Sequence, residues 1–167
     1  MDKGLGTSLV TVCRLLNFHK VEYLIVGGTA VALHGYFRMS VSIGGIPTNK
    51  PDLDFWYNPS YKNYFNLLDA IQALGEDVTE FKNETTPNPK KSFFKLNFDT
   101  FTIDFLPELP GLSKFRNSYE NKEIAQVDGI DIMFINFDDV ITNKQVLARE
   151  KDITDINELK KRRKNES

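Results

Sequence analysis

Apolar side chains recur at helical spacing in several parts of the chain, which predicts amphipathic helices. The predicted helices run from Thr7 to Asn17, from Ser60 to Gly75, and from Asn136 to about Glu150. Each begins at a residue type that caps helix N-termini: Thr7 or Ser8 for the first, Ser60 for the second, and Asn136 for the third, with Asp139 three residues later. Asp152 with Asp155 indicates the N-cap of one more helix. The C-terminal part, residues 136–167, is therefore predicted to be helical and to end in a basic tail.

Short β-branched or alternating segments lie between these helices and predict strands. The predicted strands are Val21–Val26, Asp52–Tyr57, Ser92–Asn97, Phe101–Leu106, Ile124–Val127 and Ile130–Phe134. Gly27-Gly28 ends the first strand, and a helix-compatible pattern resumes at Thr29 and ends near Gly35. Asp128-Gly129 is a strong hairpin signal, so the last two strands are predicted to pair. Residues 39–51 contain many helix and strand breakers and are predicted to be a long loop.

Composition and charge narrow the class of protein. The 167 residues, 41% of them hydrophobic and 26% charged, suit one ordinary domain over residues 1–167. A formal net charge of −2 offers no overall electrostatic basis for binding nucleic acid, so any such contact must be local. Cys13 is the only cysteine, which excludes an intrachain disulfide. Because no apolar run approaches about 18 residues, we expect a cytoplasmic protein with no membrane partner.

Three carboxylates are the main chemical feature. Asp52 and Asp54 are two residues apart on one predicted strand and therefore share a face, and Asp104 lies in another strand among apolar neighbours. Carboxylates that converge in this way repel one another unless cations lie between them. Hard oxygen ligands suit Mg²⁺ or Mn²⁺, and a site with two metal ions can hold the attacking and leaving oxygens of a phosphoryl transfer. Taken by itself, an Asp-x-Asp pair is also typical of a strand face exposed to solvent.

The Gly27-Gly28 turn suits phosphate binding. Glycine lets the backbone approach a phosphate closely, the N-terminus of the following helix offers free N–H donors, and Thr29 adds a hydroxyl. A Gly-Gly pair is also common in turns that bind nothing. The order of the features, a glycine turn after a strand and then carboxylates on later strands, is what makes them informative together.

This order resembles the nucleotidyltransferase superfamily related to DNA polymerase beta. The matching segments are Tyr23–Ala30, Asp52–Trp56 and Ile103–Phe105. The chain looks most like the small stand-alone members, the minimal and the abortive-infection type toxin nucleotidyltransferases, also at His34–Arg38 and Lys144–Ile156. One difference is the 24 positions between Gly28 and Asp52, a longer interval than the family usually has. The 39–51 loop accounts for it, as an insertion that is a lid, a substrate contact or a mark of divergence.

The resemblance implies a fold, a reaction and site residues. The fold is α/β (α+β), a small mixed sheet that carries the carboxylates on one face and has helices packed on the other. The reaction transfers a nucleoside monophosphate from a nucleoside triphosphate to a hydroxyl, with Mg²⁺ or Mn²⁺ as cofactor. The implied roles are metal binding and catalysis for Asp52, Asp54 and Asp104, and nucleotide binding for Gly27, Gly28, Thr29 and Lys144.

Several residues keep two interpretations. Lys144 lies in the middle of the inward stripe of the predicted helix, so its side chain either reaches solvent along that face or contacts the triphosphate. Asp152 is interpreted first as an N-cap, and Arg149 as a surface cation or a partner of the helix C-terminus. His34 is interpreted as a helix-end or core histidine. Trp56 is either a packed aromatic at the rim or a platform for a base.

The acceptor and the partners stay open at this stage. The hydroxyl belongs to a tRNA, a protein or a small molecule, and an antitoxin is a possible partner of a toxin-type enzyme. A different class of function is a non-catalytic or antitoxin-like protein that binds nucleotides without transferring them. A further alternative is an antibiotic nucleotidyltransferase that acts on a lincosamide or an aminoglycoside.

Overall fold

The computed structural model describes residues 3–36, 40–41, 47–48 and 50–166, in which helices are interspersed with single strands and groups of two or three strands. The helices are α1 (Lys3–Phe18), α2 (Gly27–Leu33), α3 (Tyr61–Ala73), α4 (Thr79–Lys82), α5 (Phe115–Glu120), α6 (Phe137–Leu147) and α7 (Glu150–Glu166). The strands are β1 (Tyr23–Val26), β2 (Ser40–Val41), β3 (Pro47–Thr48), β4 (Asp52–Tyr57), β5 (Phe94–Asn97), β6 (Thr102–Leu106), β7 (Glu123–Val127) and β8 (Ile130–Phe134). A 3₁₀ turn covers Pro89–Lys91.

Six of the strands form one mixed sheet in the order β5-β6-β4-β1-β8-β7. Strand β1 is antiparallel to β4 and parallel to β8, β4 is parallel to β6, and the β5–β6 and β7–β8 pairs are antiparallel hairpins. All four side chains of β1 are buried, as expected of a central strand covered on both faces. The predicted mixed α/β architecture is confirmed.

One face of the sheet packs against α1 and α3. Tyr23 of β1 is on this face, and its hydroxyl donates a hydrogen bond of 3.0 Å to Asn17 Oδ1 in α1. Phe94 of β5 is on the same face, with its ring centroid 6.0 Å from that of Tyr64 in α3. Phe55 packs between the two, 5.6 Å from the ring of Tyr23. Burial of these aromatic rings supplies much of the hydrophobic stabilisation of the fold.

The opposite face, which carries the carboxylates, is also covered by a helix. Asn143, Lys144 and Leu147 of α6 line a cavity together with Asp54 of β4 and Leu106 of β6. Helices therefore flank the sheet on both faces, and α6 adds to the predicted helices on the opposite face. The physical reason is that Val140 and Ile141 of α6 are buried, so this helix contributes to the core.

Local sequence signals explain most element boundaries. Ser60 caps α3 by accepting a hydrogen bond from the Asn63 N–H at 3.2 Å, and Asn136 caps α6 by accepting one from the Asp139 N–H at 2.8 Å. Asp128 and Gly129 have φ values of 51° and 77°, the left-handed geometry that a two-residue hairpin turn requires. These three predictions are confirmed.

Two helix starts were predicted wrongly. Helix α1 begins at Lys3 and not at Thr7, and the Ser8 hydroxyl donates back to the Gly4 carbonyl at 2.9 Å inside the helix. Helix α7 begins at Glu150, so Asp152 lies in its first turn and is not its N-cap. Asp152 instead accepts the backbone N–H of Arg149, the bond that an acidic residue makes from inside a capping box. Within the described ranges, no helix has the length and apolarity needed to cross a membrane.

The predicted 39–51 loop falls largely outside the described residues. Where it is described, Ser40–Val41 and Pro47–Thr48 pair as the small antiparallel β2–β3 ladder. At its end, the Lys50 ammonium donates to Asn97 Oδ1 at 2.7 Å, and the Pro51 carbonyl accepts the Thr102 N–H at 2.9 Å. These bonds attach the end of the segment to the β5–β6 hairpin, directly before the first carboxylate.

Candidate active site

The three predicted carboxylates meet on one face of the sheet. Strands β4 and β6 pair in a register that sets Asp54 directly beside Asp104, and Asp52 is two residues before Asp54 on the same face. One carboxylate oxygen from each of the three residues lies within 4.8 Å of the others. The register of two parallel strands thus brings together residues about fifty positions apart.

The surroundings of the three carboxylates differ. Asp52 is exposed and accepts a hydrogen bond of 2.6 Å from the Thr102 hydroxyl, whereas Asp54 and Asp104 are partly buried. Asp104 Oδ1 is fully buried and has no hydrogen-bond partner within the described part of the chain. A buried oxygen without a partner is costly, so this atom marks the position of a missing positive or donating group.

Electrostatics support the same conclusion. Burial, followed by repulsion from Asp52 and Asp104, raises the pKa of the Asp54 carboxyl to about 7, and the positive charge of Lys144 opposes this shift. Burial and the charge of Asp52 also raise the pKa of Asp104, while Lys95 opposes that shift. Three crowded carboxylates, with the pKa raised at Asp54 and at Asp104, are a donor set that a divalent metal ion fits.

Gly27 lies against Asp54 and leaves no room for a side chain. Its φ of +65° is left-handed, and a Cβ atom there would overlap Asp54 Oδ2 and lie 3.1 Å from Asp54 Cγ. Gly28 follows within α2, and Thr29 is buried, its hydroxyl 3.5 Å from the Asp52 carbonyl oxygen. The glycine turn therefore packs its backbone directly against the carboxylates.

Lys144 points inward and is almost fully buried, with 2% of its side chain exposed. Its ammonium is 3.0 Å from Asp152 Oδ1 and 3.3 Å from Asp155 Oδ2, both on α7. The interpretation that this side chain reaches solvent was wrong, because two buried carboxylates hold it inside. Lys144 and Gly27 line the same cavity as Asp54.

Arg149 belongs to the same ionic group, although the sequence interpretation left it as a surface cation. Its guanidinium donates to both oxygens of Asp152, from Nε at 2.6 Å and from Nη2 at 3.1 Å. These bonds, with those from Lys144, outweigh the effect of burial and lower the pKa of Asp152 to about 2. The spacing of three residues between Arg149 and Asp152 at a helix start was a usable signal for this pair.

A cavity of about 840 Å³ extends from the carboxylates between the sheet and α6. The residues that line it and that sequence reasoning did not single out include Lys90, Lys91, Phe93, Leu106, Pro107 and Asn143. They come from the 3₁₀ turn, the residue directly before β5, the C-terminal end of β6 and the middle of α6. No motif connects these segments, so only the fold reveals that they share a cavity.

Two aromatic candidates have structural roles. The His34 ring nitrogen Nε2 is 2.8 Å from the Ile135 carbonyl oxygen, and His34 is the C-cap residue of α2, which confirms the helix-end interpretation. Trp56 is 1% exposed, donates through Nε1 to the Pro107 carbonyl at 3.3 Å and contacts the ring of Phe115. Because its ring is fully packed, Trp56 offers no platform for a base.

The topology and the carboxylate register can be compared with known proteins. A crystal structure of an antigenic nucleotidyltransferase-like protein from Paracoccidioides brasiliensis is similar to this chain, with a TM-score of 0.51 and 14% sequence identity. The match covers 95% of this chain and 76% of the other. The fold is nucleotidyltransferase-like. No family model matches the sequence, and no curated protein matches it.

The similarity bears on the fold and not on the reaction, since the two sequences share few residues. It confirms the predicted mixed sheet with flanking helices and a helical C-terminal part. Within this fold, Asp52, Asp54 and Asp104 can hold a divalent metal ion. The resemblance to toxin-type enzymes stays a prediction.

Proposed function

We propose that this protein is a metal-dependent nucleotidyltransferase that moves a nucleoside monophosphate from a nucleoside triphosphate to a hydroxyl acceptor. One observation carries the proposal: the buried, unpartnered Asp104 Oδ1 lies beside Asp52 and Asp54 on the sheet of a nucleotidyltransferase-like fold. Repulsion among the three carboxylates favours binding of a cation, and the adjoining cavity has room for a nucleotide.

The carboxylates divide the work in this proposal. Asp52 and Asp54 hold the metal, Mg²⁺ or Mn²⁺, and Asp104 holds a second ion. A bound divalent ion supplies Lewis-acid stabilisation of charge on the phosphoryl oxygens. Asp104 also accepts the proton of the attacking hydroxyl, whose oxygen bonds to the α-phosphorus while pyrophosphate leaves.

The phosphates are held by the backbone and by cations. Gly27, Gly28 and Thr29 position them at the turn where the Gly27 backbone packs against Asp54. Lys144 and Arg149 line the cavity next to Asp54 and offset the phosphate charge. Because Asp152 and Asp155 fix the Lys144 ammonium, this charge is already in place before a substrate binds.

The acceptor in this proposal is a hydroxyl of a tRNA, a protein or a small molecule. A toxin-type enzyme that acts on tRNA and is controlled by an antitoxin is the version that the sequence motifs support best. The exposed basic residues near the end of α7 offer a local surface for RNA phosphates. Lincosamides and aminoglycosides are the small molecules to test.

Transfer from α-labelled nucleoside triphosphates to these acceptor classes tests the proposal. With Mg²⁺ or Mn²⁺, the wild-type protein is expected to label one acceptor, and Asp54→Asn is expected to lower the rate by at least about 100-fold, as loss of a metal ligand should. Asp128→Asn is the matched control, because it neutralises an aspartate in a hairpin turn and leaves the site intact.

Two results would contradict the proposal. Unchanged transfer by the double variant Asp52→Ala, Asp54→Ala would exclude these carboxylates from the reaction. Failure of the wild-type protein to bind any nucleoside triphosphate with metal in a calorimetric titration would contradict the proposal as well, whereas metal-dependent binding without transfer to any acceptor would favour the non-catalytic alternative. A circular dichroism spectrum of each variant separates loss of the site from loss of the fold.

A further inference from the structure

The cavity is larger than a phosphate and metal site requires, and its lining away from the carboxylates is more apolar than its lining beside them. Near Asp54 and Lys144 it is charged, whereas the end of β6 and the residues after it contribute a mainly apolar wall, Leu106, Pro107 and Leu109, together with Glu108. Its volume of about 840 Å³ falls in the range of sites that enclose a whole small-molecule ligand. The same cavity therefore extends from the candidate site to a wall that is mainly apolar.

Phe93 lies at this apolar end with its ring partly free. Its side chain is 51% exposed, whereas the adjacent Phe94 is 5% exposed and packs in the core. Successive side chains along an extended segment point to opposite faces, so Phe93 is on the carboxylate face. The β5–β6 register, which pairs Phe94 with Phe105, brings Phe93 next to Leu106. An aromatic ring is thus presented to the cavity by the residue directly before β5.

The 3₁₀ turn before Phe93 is firmly attached to the sheet. The buried Tyr57 hydroxyl of β4 contacts the carbonyl oxygens of Pro89, at 2.9 Å, and of Ser92. The Ser92 hydroxyl donates to the Asn88 carbonyl at 2.8 Å. This turn carries Lys90 and Lys91, which line the cavity with Phe93. The backbone that carries the two cations and the ring therefore has a defined position, as a recognition element needs.

The spacing across the sheet suits a nucleoside triphosphate. Val26, Asp54, Asp104 and Lys95 are neighbours across four adjacent strands. Three strand spacings are about 14 Å, which is comparable with the length of an extended nucleoside triphosphate. A nucleoside triphosphate whose phosphates lie between Gly27 and Lys144 would extend its nucleoside toward β5.

We propose that Phe93, with Lys90 and Lys91, forms the nucleoside-binding part of the site and that the base of the nucleoside triphosphate stacks on the Phe93 ring. Lys90 and Lys91 donate hydrogen bonds to acceptor atoms on the base edge or the ribose. This inference rests on the proposed function, because it concerns where the nucleoside of the same nucleoside triphosphate binds. It gives three residues outside every sequence motif a role in substrate recognition.

The test compares two probes in calorimetric titrations with Mg²⁺: a nucleoside triphosphate analogue that cannot be cleaved at the α-phosphate, and inorganic tripolyphosphate. Phe93→Ala is expected to weaken binding of the analogue about tenfold, within the range measured for base stacking, and to leave tripolyphosphate binding unchanged. Phe93→Trp is expected to restore affinity for the analogue.

The double variant Lys90→Ala, Lys91→Ala is expected to weaken binding of the analogue more than binding of tripolyphosphate. Phe18→Ala is the control, an exposed aromatic on α1, the helix on the opposite face of the sheet.

Each contrary outcome has its own meaning. Unchanged analogue affinity in Phe93→Ala, with Asp54→Asn still abolishing transfer, overturns this inference and leaves the proposed function standing. Equal weakening of both probes overturns it as well, since the effect is then not on the base. Weaker binding of a short single-stranded oligoribonucleotide, with the analogue unaffected, assigns Phe93 to the acceptor and overturns the inference. Failure of the wild-type protein to bind either probe overturns both proposals together.

Discussion

Asp54 has the most constrained surroundings of the three carboxylates. It is flanked by Asp52 along its own strand and by Asp104 on the next, and the backbone of Gly27 covers its Oδ2. Burial and like charge both disfavour its ionised form, whereas the positive charges of Lys144 and Arg149 favour it. The residue is therefore sensitive to its neighbours, to pH and to bound cations.

Gly27→Ala should disrupt the site. The new methyl group would collide with the Asp54 carboxylate and would have to adopt a left-handed φ, which by itself costs about 1–2 kcal/mol in L-residues. We expect the free energy of unfolding to fall by more than that amount and transfer activity to be lost. Chemical denaturation and the transfer assay are the measurements.

Gly129→Ala is the matched control for this change. Gly129 has a similar φ of +77°, but a Cβ atom there would meet nothing within 4 Å. Gly129→Ala should lower the free energy of unfolding only by the cost of the left-handed φ, and it should keep transfer activity. Equal effects of the two substitutions on stability would show that the contact with Asp54 is unimportant.

The raised pKa of Asp54 predicts a pH dependence of stability in the metal-free protein. Because the pKa is about 7 in the folded state and near 3.8 when unfolded, the folded state holds this proton more tightly. The stabilisation is complete below the unfolded pKa and is lost as pH rises from about 4 to about 7. The difference in melting temperature between wild type and Asp54→Asn should therefore change over this range.

Metal binding should show the opposite trend with pH, because metal and proton compete for the same oxygens. We expect the affinity for Mg²⁺ or Mn²⁺ to increase with pH until Asp54 is ionised, at about 7. If the melting temperatures of wild type and Asp54→Asn differed by a constant amount between about pH 4 and about pH 7, the assignment of this pKa to Asp54 would be contradicted.

At the scale of elements, α6 and α7 are joined by buried charges as well as by apolar contacts. Lys144 of α6 is held by Asp152 and Asp155 of α7, and Arg149 between the helices completes the group with a second positive charge. Two cations and two anions balance, which makes burial of the group tolerable. Helix α7 therefore positions the lysine that faces the candidate site.

Lys144→Met should strongly destabilise the fold. Removing the ammonium leaves Asp152 and Asp155 buried with reduced compensation, and breaking a buried pair in this way costs about 3–5 kcal/mol. The matched control is Lys82→Met, which breaks an exposed ion pair of 2.7 Å with Asp69 and should cost at most about 1 kcal/mol. Urea denaturation of both variants measures the difference, and similar costs would show that the buried group contributes little.

At the scale of the whole molecule, the sheet assembles the metal-binding group from β4 and β6 and places α6 over it. Since the metal-free carboxylates repel one another, the folded protein should bind divalent ions that the unfolded chain binds only weakly. Folding and metal binding are then linked, and the site can be detected without any knowledge of the acceptor.

Saturating Mg²⁺ or Mn²⁺ should raise the melting temperature of the wild-type protein. At an ion concentration of 100 times Kd, the stabilisation is about 2.7 kcal/mol. Asp52→Asn with Asp54→Asn should abolish the metal-induced rise, and Asp128→Asn should retain it. Differential scanning calorimetry with and without the ion makes the comparison. A rise of equal size in all three proteins would place the metal elsewhere.

The sequence alone predicted those parts of the fold that depend on local chemistry. Ser60 and Asn136 cap their helices through bonds to residues three positions on, and Asp128-Gly129 forms its turn without help from distant residues. The spacing of Asp52 and Asp54 on one strand also follows from the period of a β-strand. Such features require only neighbours along the chain, so a pattern is enough to reveal them.

Only the tertiary structure decided which distant residues meet. The pairing of β4 with β6 sets Asp104 beside Asp54, and the packing of α7 on α6 gives Lys144 its two carboxylate partners. The cavity that joins Phe93 to Asp54 likewise depends on strand order. These contacts depend on strand register and helix packing, which are set by burial of the whole core rather than by any one segment. For that reason the sequence by itself determined the candidate chemistry, and the fold determined its surroundings.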